Sequence, residues 1–444
     1  MEKLKKYAIY FAFFGNLALI IGLWWIISGG LIESGDLSAV LLALGRLAGL
    51  LAVYFVLQQF LMMGRSYWLE KVFGLDKLTR IHHLNGYLSI SFIIIHPILL
   101  IFSYSIGSGV SFWAQFMDFL YNYKDVGWAA LAALFFILIV FLSIYIVRKH
   151  LKYELWYYVH LLTYLAIILA FSHQLNLGGD LTTNKFFYYY WCALYIFVFG
   201  NVLLFRFIRP VYNSLKYRFT VSDVVQETPD TTSVYITGKN LEKFKTHAGQ
   251  FIILRFFCKG FWWQAHPFSL SFVPKNNQLR ITVKNCGDFT AKISQLKKGT
   301  PTYIDGPYGI FIAHAKPETK YLFIAGGVGI TPIRSLIEEL APAHDIIVLF
   351  SNKTMQDTIF KKELDELAQT NHFPMHYILT DQKDYPGEKG RLDKEKFQRL
   401  VKDTREREVY LCGPIPMLKA MLQLLQDKDI GVKPERIHFE KFEL

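Results

Sequence analysis

Cysteine is scarce in this sequence of 444 residues. The four cysteines are scattered and lack the paired spacing of metal ligands, at Cys192, Cys258, Cys286 and Cys412. This pattern excludes a disulfide framework and gives no cysteine-based metal centre. The sequence also lacks a calcium-binding helix-loop-helix pattern and a proline-rich partner segment. We therefore expect activity that requires neither calcium nor an obligatory protein subunit.

Charge is scarce as well, since 19% of the residues are charged and 52% are apolar. Six runs in the first half carry almost no charge: Tyr7–Ser28, Leu37–Met63, Ile81–Tyr104, Gly127–Val147, Leu155–Phe171 and Phe186–Phe207. About 20 apolar residues cross a bilayer as a helix, so the sequence predicts six crossings. The first run is too long for a signal peptide and is read as a retained helix. After about Pro210 the composition becomes that of a soluble protein.

Basic residues mark one side of the predicted membrane region. Lysine and arginine gather in the segments 3–6, 65–80, 148–152 and 206–218, whereas the opposite loops hold mainly Glu33, Asp36, Asp118, Asp125 and Asp180. The positive-inside rule then places both termini in the cytoplasm of a multi-pass cell-membrane protein. The same bias, with attraction to anionic membrane lipids, accounts for the net charge of +12 and does not indicate nucleic acid.

Four histidines lie inside the apolar runs. His82 and His96 are fourteen residues apart, which on a helix gives about 21 Å and about 40° between them. His160 and His173 are thirteen apart, about 20 Å, but an ideal helix turns them about 140° away from each other, so that helix is expected to be tilted, distorted or differently approached. His83 is an alternative to His82.

An ionisable residue within a membrane helix is a functional candidate whose partner has to be named. A single buried histidine can simply hydrogen-bond a neighbouring helix. Four histidines at two matching depths instead indicate two b-type haems, stacked across the membrane, with these histidines as the iron ligands.

The second half predicts two further folds. Short runs rich in valine, isoleucine, phenylalanine and threonine recur between turns from Tyr217 to Ile312, which favours an antiparallel β-barrel or sandwich. From Lys320 onwards strands alternate with helical patterns, which indicates a parallel α/β sheet. We place the three domains at residues 1–212, 213–316 and 317–444.

A glycine-rich turn follows the first strand of the α/β part. The turn contains Gly326, Gly327, Gly329, Thr331 and Pro332 and leads into a helix. Glycines allow the backbone to approach a pyrophosphate closely, and a helix N-terminus favours its charge. A tight strand-to-helix turn is the alternative explanation. A later strand of the same sheet ends at Cys412, Gly413 and Pro414, where open α/β sheets bind ligands.

Taken in order, these motifs resemble the transmembrane flavocytochromes of the NADPH oxidase and ferric reductase superfamily over nearly the whole chain. The segment His82-His83-Leu84-Asn85-Gly86 is similar to the start of the family's third helix. The resemblance favours His82 over His83. It implies that His82 and His160 hold an inner haem, and that His96 and His173 hold an outer haem.

The soluble half carries the family's cofactor signatures. The segment His266-Pro267-Phe268-Ser269 resembles the flavin-binding signature in its oxidase form, and Gly287 to Thr290 resembles the turn at the FAD pyrophosphate. The glycine turn and Cys412 to Pro414 resemble the nicotinamide-binding segments, and Phe442 is similar to the terminal aromatic residue that covers the flavin. The resemblance thus implies a fold similar to ferredoxin-NADP reductase, with an FAD domain of β-barrel type and an NAD(P)H domain of α/β type.

The implied activity is electron transfer from cytoplasmic NADPH through FAD and two haems to an acceptor outside the cell. Arg46 lies near the outer end of the second run, where a membrane arginine needs a counter-charge such as a haem propionate or snorkels to the interface. It resembles an arginine beside the family's oxygen site, which favours dioxygen as acceptor and superoxide as product. The alternatives are a ferric or cupric reductase, or a haem subunit that relays electrons to a partner.

The preference for NADPH over NADH depends on two basic residues. Lys353 follows the second strand of the nucleotide domain, where a basic side chain can meet a 2′-phosphate, and Arg391 is another candidate. Either residue can equally be a solvated surface charge. NADH therefore stays open as the donor.

Overall fold

The computed structural model describes residues 2–144, 150, 153–272, 274, 277–313 and 317–442. These residues form two compact units, 1–207 and 208–444. The predicted boundary at residue 212 falls inside a helix of the second unit, Arg209–Tyr217. The division into three domains stays a prediction.

The described part of the first unit is helical. Its helices are α1 (Glu2–Glu33), α2 (Leu37–Met63), α3 (Tyr67–Phe73), α4 (Leu75–Ser108), α5 (Phe112–Asn122), α6 (Val126–Ser143), α7 (Tyr153–His160), α8 (Leu162–Leu169), α9 (Phe171–Leu177), α10 (Gly179–Thr183) and α11 (Lys185–Val202), which continues as a π-helical segment, Leu203–Ile208.

Six stretches of the described chain are long and apolar enough to cross a membrane: Leu4–Glu33, Leu37–Met63, Leu75–Ser108, Val126–Ser143, Glu154–Leu177 and Lys185–Tyr217. The six predicted crossings are confirmed, and each stretch overlaps its apolar run. The end of the predicted run Gly127–Val147 lies outside the described residues.

Helix α2 lies at the centre of the first unit and packs mainly along α4. Glycine makes the close approach possible, because a Cβ on Gly49 would stand 2.7 Å from the His96 ring. Farther along, Asn85 donates to the Phe55 carbonyl at 2.9 Å, and Gln59 donates to the His82 carbonyl at 3.0 Å. Small residues and buried amides hold helices together in a membrane, where apolar packing alone has little preference for another helix over lipid.

The fifth crossing is not one regular helix. It is interrupted at Leu161, between α7 and α8, and again at Ala170, between α8 and α9. Near the first interruption the Tyr164 amide bonds the Leu161 carbonyl, three residues back, at 3.1 Å. Both interruptions lie between His160 and His173, which is the distortion that their thirteen-residue spacing required.

The second unit starts with helix α12 (Arg209–Tyr217) and two three-stranded antiparallel sheets. Strands β1 (Thr220–Thr228), β2 (Thr231–Thr237) and β5 (Gln278–Lys284) form one sheet; β3 (Phe251–Phe256), β4 (His266–Ser269) and β6 (Thr302–Tyr308) form the other. Isolated bridges, including Leu270 with Ile281, connect them. This is the predicted β-barrel, and β4 is a strand that the sequence pattern did not reveal.

A six-stranded parallel sheet completes the second unit, in the order β10-β9-β8-β7-β11-β12. Its strands are β7 (Tyr321–Gly326), β8 (Ile346–Asn352), β9 (Met375–Leu379), β10 (Glu388–Lys389), β11 (Glu408–Pro414) and β12 (Ile437–Phe442), with helices α13 (Ile330–Leu340), α14 (Lys361–Asn371), α15 (Lys394–Leu400) and α16 (Ile415–Gln426). Tyr321 and Phe323 join the apolar layer on one face, whereas Leu322 and Ile324 join the layer on the other. Burial of both faces is typical of parallel sheets with crossover helices.

Candidate functional site

The predicted inner histidines lie together, although they come from different helices. The ring centroids of His82, on α4, and His160, at the end of α7, are 6.0 Å apart with planes at 60°. The Nδ1 atoms of both rings are buried and have no hydrogen-bond partner among the described residues. His83 is exposed, whereas His82 is partly buried. Two facing imidazoles can ligate one metal from opposite sides.

His160 has one aromatic neighbour, Trp156, and one basic neighbour, Arg206. The Trp156 ring lies 5.2 Å from the His160 ring, and its Nε1 donates to the Ser143 hydroxyl at 3.1 Å. Arg206 lies within electrostatic range of His160 and donates to the Met63 carbonyl at 2.8 Å. Arg206 belongs to the π-helical segment, and such segments frequently mark functional sites. In the sequence, Arg206 stands out only as one of the basic residues on the cytoplasmic side.

The predicted outer histidines are also neighbours. His173, on α9, lies within electrostatic range of His96, on α4. The next residue of α9, Gln174, accepts hydrogen bonds from Trp191 and Tyr195 of α11, at 3.1 and 2.9 Å, which fixes this short helix. His82 and His160 thus form one ring pair, and His96 and His173 lie within electrostatic range of each other.

The backbone orients the His96 ring. Its Nδ1 lies 2.8 Å from the Gly45 carbonyl, so Nδ1 carries the proton and donates it. The neutral ring then keeps the Nε2 lone pair for a metal, as in histidine ligands that donate their other N–H to a carbonyl. Gly49 is required beside the ring, because a Cβ there would overlap the imidazole.

Arg46 has its counter-charge within the protein. Its NH1 donates to the Ser28 hydroxyl at 3.3 Å and lies 3.8 Å from Asp180 Oδ1, while Ser28 donates to the same oxygen at 2.5 Å. Ser28 and Asp180 are buried, and the Arg46 side chain is 27% exposed. Burial raises the pKa of Asp180, against the lowering effect of Ser28 and Arg46. The sequence pointed to Asp180 only as an acidic loop residue.

The flavin signature forms β4 and packs against a phenylalanine. Leu254 of β3 pairs with His266, and the His266 ring lies 4.1 Å from the Phe289 ring. The Phe268 ring is 6.3 Å from Phe289. Pro267 is exposed and Ser269 is buried in this strand. The predicted motif His266 to Ser269 and the turn that contains Phe289 therefore meet at one edge of the barrel.

The turn from Gly287 to Thr290 is held by hydrogen bonds among its own residues. The Thr290 hydroxyl accepts from the amides of Cys286 and Gly287 at 2.8 and 2.9 Å. Gly287 is exposed, and a short 3₁₀ helix begins at Thr290. The amides of Cys286 and Gly287 are therefore satisfied within the turn, and its contact with the FAD pyrophosphate stays a prediction.

The two predicted nucleotide segments touch through their backbones. A Cβ on Gly329 would stand 2.4 Å from the Cys412 carbonyl oxygen, so no other residue fits there. Gly327 has a φ of +54°, a conformation that glycine adopts at little cost. Thr331 donates to the Val328 carbonyl at 2.9 Å and starts the helix with Pro332.

The second of these segments ends strand β11. Cys412 pairs with Ala325 of β7 on one side and with Glu440 of β12 on the other. Burial raises the pKa of the Cys412 thiol well above its usual value, so it stays neutral. Gly413 and Pro414 continue the strand, and a Cβ on Gly326 would stand 3.1 Å from Pro414. The backbone of Phe442 pairs with Pro414, while its side chain lies outside the described part of the chain.

Lys353 and Arg391 lie at the same edge of the parallel sheet. Lys353 follows β8, and Arg391 comes shortly after β10, two strands away. Both side chains are exposed. The carboxyl edge of such a sheet is where nucleotides bind, and the role of both residues at a 2′-phosphate stays a prediction.

Three family models match the chain in sequence order. Residues 48–171 match the ferric reductase like transmembrane component, residues 217–311 match an FAD-binding domain, and residues 323–423 match an oxidoreductase NAD-binding domain. The chain therefore combines the apolar helices of a multi-pass membrane protein with an FAD-binding and an NAD-binding domain. Its domain order is the NADPH oxidase and ferric reductase-like architecture.

Two curated relatives each match about half of the chain. The glycine betaine monooxygenase reductase subunit of Pseudomonas aeruginosa is 28% identical over 236 residues, 49% of this chain and 62% of the relative. The flavohemoprotein of Halalkalibacterium halodurans is 30% identical over 248 residues, 50% of this chain and 59% of the relative. The chain thus spans about three-fifths of the length of these relatives. The FAD/NAD-binding domain of a nitric oxide dioxygenase from Vibrio cholerae is 22% identical, with a TM-score of 0.46, over 51% of this chain and 99% of that chain.

Proposed function

We propose that this protein oxidises cytoplasmic NADPH and passes the electrons through FAD and two b-type haems to dioxygen outside the cell, which gives superoxide. One NADPH supplies two electrons, so two dioxygen molecules are reduced and one proton is released in the cytoplasm. Both termini are then cytoplasmic, in agreement with the distribution of basic residues.

The observation that carries the proposal is the pairing of four histidines at two levels. The His82 and His160 rings lie 6.0 Å apart, and His96 lies within electrostatic range of His173, although each pair joins distant parts of the chain. No cluster of three or more metal-ligating side chains is found in the described ranges. A porphyrin brings its own four nitrogen ligands, so a haem needs only two protein ligands, and two pairs fit two haems.

The protein groups have defined roles in holding these cofactors. His82 and His160 would hold the inner iron, since their rings face each other with centroids 6.0 Å apart. His96, oriented by the Gly45 carbonyl, and His173 are placed to bind the outer iron. These histidines would supply both protein ligands of each iron, and a haem held in this way would supply one-electron transfer to the acceptor.

The soluble half supplies the donor site. Flavin accepts a hydride and releases electrons singly, which is what a nicotinamide donor and one-electron iron acceptors require. His266 and Ser269 on β4, with the turn from Gly287 to Thr290, are positioned for FAD. The glycine turn and the end of β11 are positioned for the nicotinamide nucleotide, with Lys353 and Arg391 for a 2′-phosphate.

A ferric or cupric reductase with the same electron path is the second candidate. The match of residues 48–171 to a ferric reductase like component favours it. A third reading, a haem subunit that relays electrons to a partner, fits less well, because the chain has its own FAD- and NAD-binding domains.

The test is a superoxide assay on the protein purified in detergent. NADPH and FAD are added in air, and NADPH loss is followed with cytochrome c reduction, in the presence and absence of superoxide dismutase. Dismutase-sensitive reduction without calcium or added subunits is the expected result. Rapid haem reduction by NADPH under nitrogen, together with no superoxide in air, would show that the acceptor is a metal ion or a partner protein and not dioxygen. A need for calcium or a second subunit would contradict constitutive activity.

A further inference from the structure

Arg46, Ser28 and Asp180 form one buried cluster from three separate helices. Ser28 is fully buried on α1, Arg46 lies on α2, and Asp180 is 2% exposed on α10. Ser28 donates to Asp180 at 2.5 Å and accepts from Arg46 at 3.3 Å, so the hydroxyl bridges the two charges. A buried carboxylate is costly unless it is paired and hydrogen-bonded, and here it has both a cation and a hydroxyl donor.

The cluster lies beside the outer histidine pair. Gly45, the residue before Arg46, is the one whose carbonyl binds His96. Asp180 follows His173 by seven residues, through the short helices α9 and α10. A change in the contact between Arg46 and Asp180 therefore acts one residue away from the carbonyl that orients His96.

The protein engages only one end of the Arg46 guanidinium. Among the described residues, hydrogen bonds are made by NH1, whereas Nε and NH2 have no protein partner. Nε and NH2 lie against Gly179, where a Cβ would stand 3.0 and 2.6 Å from them. The absence of a side chain at Gly179 lets the guanidinium lie flat there, and the remaining N–H groups stay available to an acceptor or an anion.

We propose that Asp180 is a positioning residue for the acceptor end of the electron path: through Ser28 it fixes the guanidinium of Arg46 and balances its charge. The proposal deepens the proposed function and rests on it. In the ion pair, Arg46 offers directed N–H donors to dioxygen. Asp180 balances the positive charge of Arg46, which would otherwise retain the superoxide anion. Loss of the carboxylate frees Arg46 to reorient and leaves a net positive charge next to the outer pair.

The test compares Asp180→Asn and Ser28→Ala with a matched control, Asp118→Asn, which removes the same charge in α5, away from Arg46. Each full-length protein is purified with its haems. Three quantities are measured: the haem content, the rate of haem reduction by NADPH under nitrogen, and the rate at which reduced haem is reoxidised by dioxygen. A redox titration gives the potentials of the two haems.

We expect Asp180→Asn to keep two haems and the wild-type rate of reduction under nitrogen. Its reoxidation by dioxygen should slow about tenfold, and one haem potential should become more positive, because a nearby negative charge is lost. Ser28→Ala should change the reoxidation rate in the same direction by a smaller factor, and Asp118→Asn should leave it unchanged. In a double-mutant cycle, adding Asp180→Asn to Arg46→Gln should slow reoxidation no further.

Wild-type reoxidation with unchanged haem potentials in Asp180→Asn would overturn the proposal, and so would additive effects of the Arg46 and Asp180 variants. If Asp180→Asn does not fold, Ser28→Ala provides the test. A wild-type rate of reoxidation in Ser28→Ala would also overturn the proposal. A wild-type protein without haem, or one whose reduced haem does not react with dioxygen, instead refutes the proposed function itself.

Discussion

Replacement of Glu363 by glutamine should destabilise the second unit by about 2–4 kcal/mol. Glu363, on α14, accepts from Arg280 of β5 at 2.6 and 3.0 Å and from Arg334 of α13 at 2.8 Å. The Arg280 side chain is 2% exposed, and its guanidinium also lies 4.3 Å from the Phe360 ring. One carboxylate thus connects the barrel to two helices of the α/β sheet.

The size of the destabilisation follows from the buried charge of Arg280, which stays in the protein when Glu363 is replaced. Removing one partner of a buried ion pair typically costs about 3–5 kcal/mol, because the other charge stays buried without compensation. The Glu363 side chain is 34% exposed, so water can partly replace it, and the expected cost falls to about 2–4 kcal/mol. Arg334 keeps its second partner, Glu338.

The assay is thermal unfolding of the detergent-purified full chain, followed by the rise in FAD fluorescence on release. For a unit of this size, about 1 kcal/mol lowers the midpoint by about 2–4 °C, so Glu363→Gln should lower it by about 4–16 °C. Lys361→Gln, on the same helix, is the control. It removes an exposed pair with Asp365 that is worth about 0.3–0.5 kcal/mol. Equal midpoints for the two variants would refute the reasoning.

Three further predictions concern charge and ligands. Burial tends to raise the pKa of Glu363, but the hydrogen bond and charge of Arg280 lower it overall from 4.5. The unfolding midpoint of the wild type should therefore exceed that of Glu363→Gln by the full amount above about pH 4.5, and the difference should shrink as the pH falls below that value. Unfolding scans across this pH range measure the difference. His82→Ala should lose one haem and His83→Ala neither, by pyridine haemochrome assay, and loss of haem in the His83 variant alone would reverse the assignment. Lys353→Gln should lower the ratio of kcat/KM for NADPH to that for NADH about tenfold, equivalent to about 1.4 kcal/mol; an unchanged ratio would leave Arg391 as the residue that selects the phosphate.

Features that depend on residues close together in the sequence could be predicted from it. The six crossings follow from runs of apolar residues, and the parallel sheet follows from strands such as Tyr321–Ala325 that alternate with helical patterns. The glycine turn and the end of β11 were predicted to share one sheet edge, and their backbones touch there. Strand β4 was missed, because its four residues include a proline and lack the alternation of a half-buried strand.

The sequence by itself determined the membrane region, the order of the FAD- and NAD-binding domains and the four membrane histidines, because apolar length and short motifs are local properties. The resemblance to a known family had already paired His82 with His160. Only the tertiary structure decided that the Gly45 carbonyl meets His96 and that Asp180 meets Arg46. Asp180 is 134 positions from Arg46, and no local pattern links a loop carboxylate to a particular helix. Burial and helix packing bring such pairs together, since a charge that leaves water needs a partner wherever the fold supplies one.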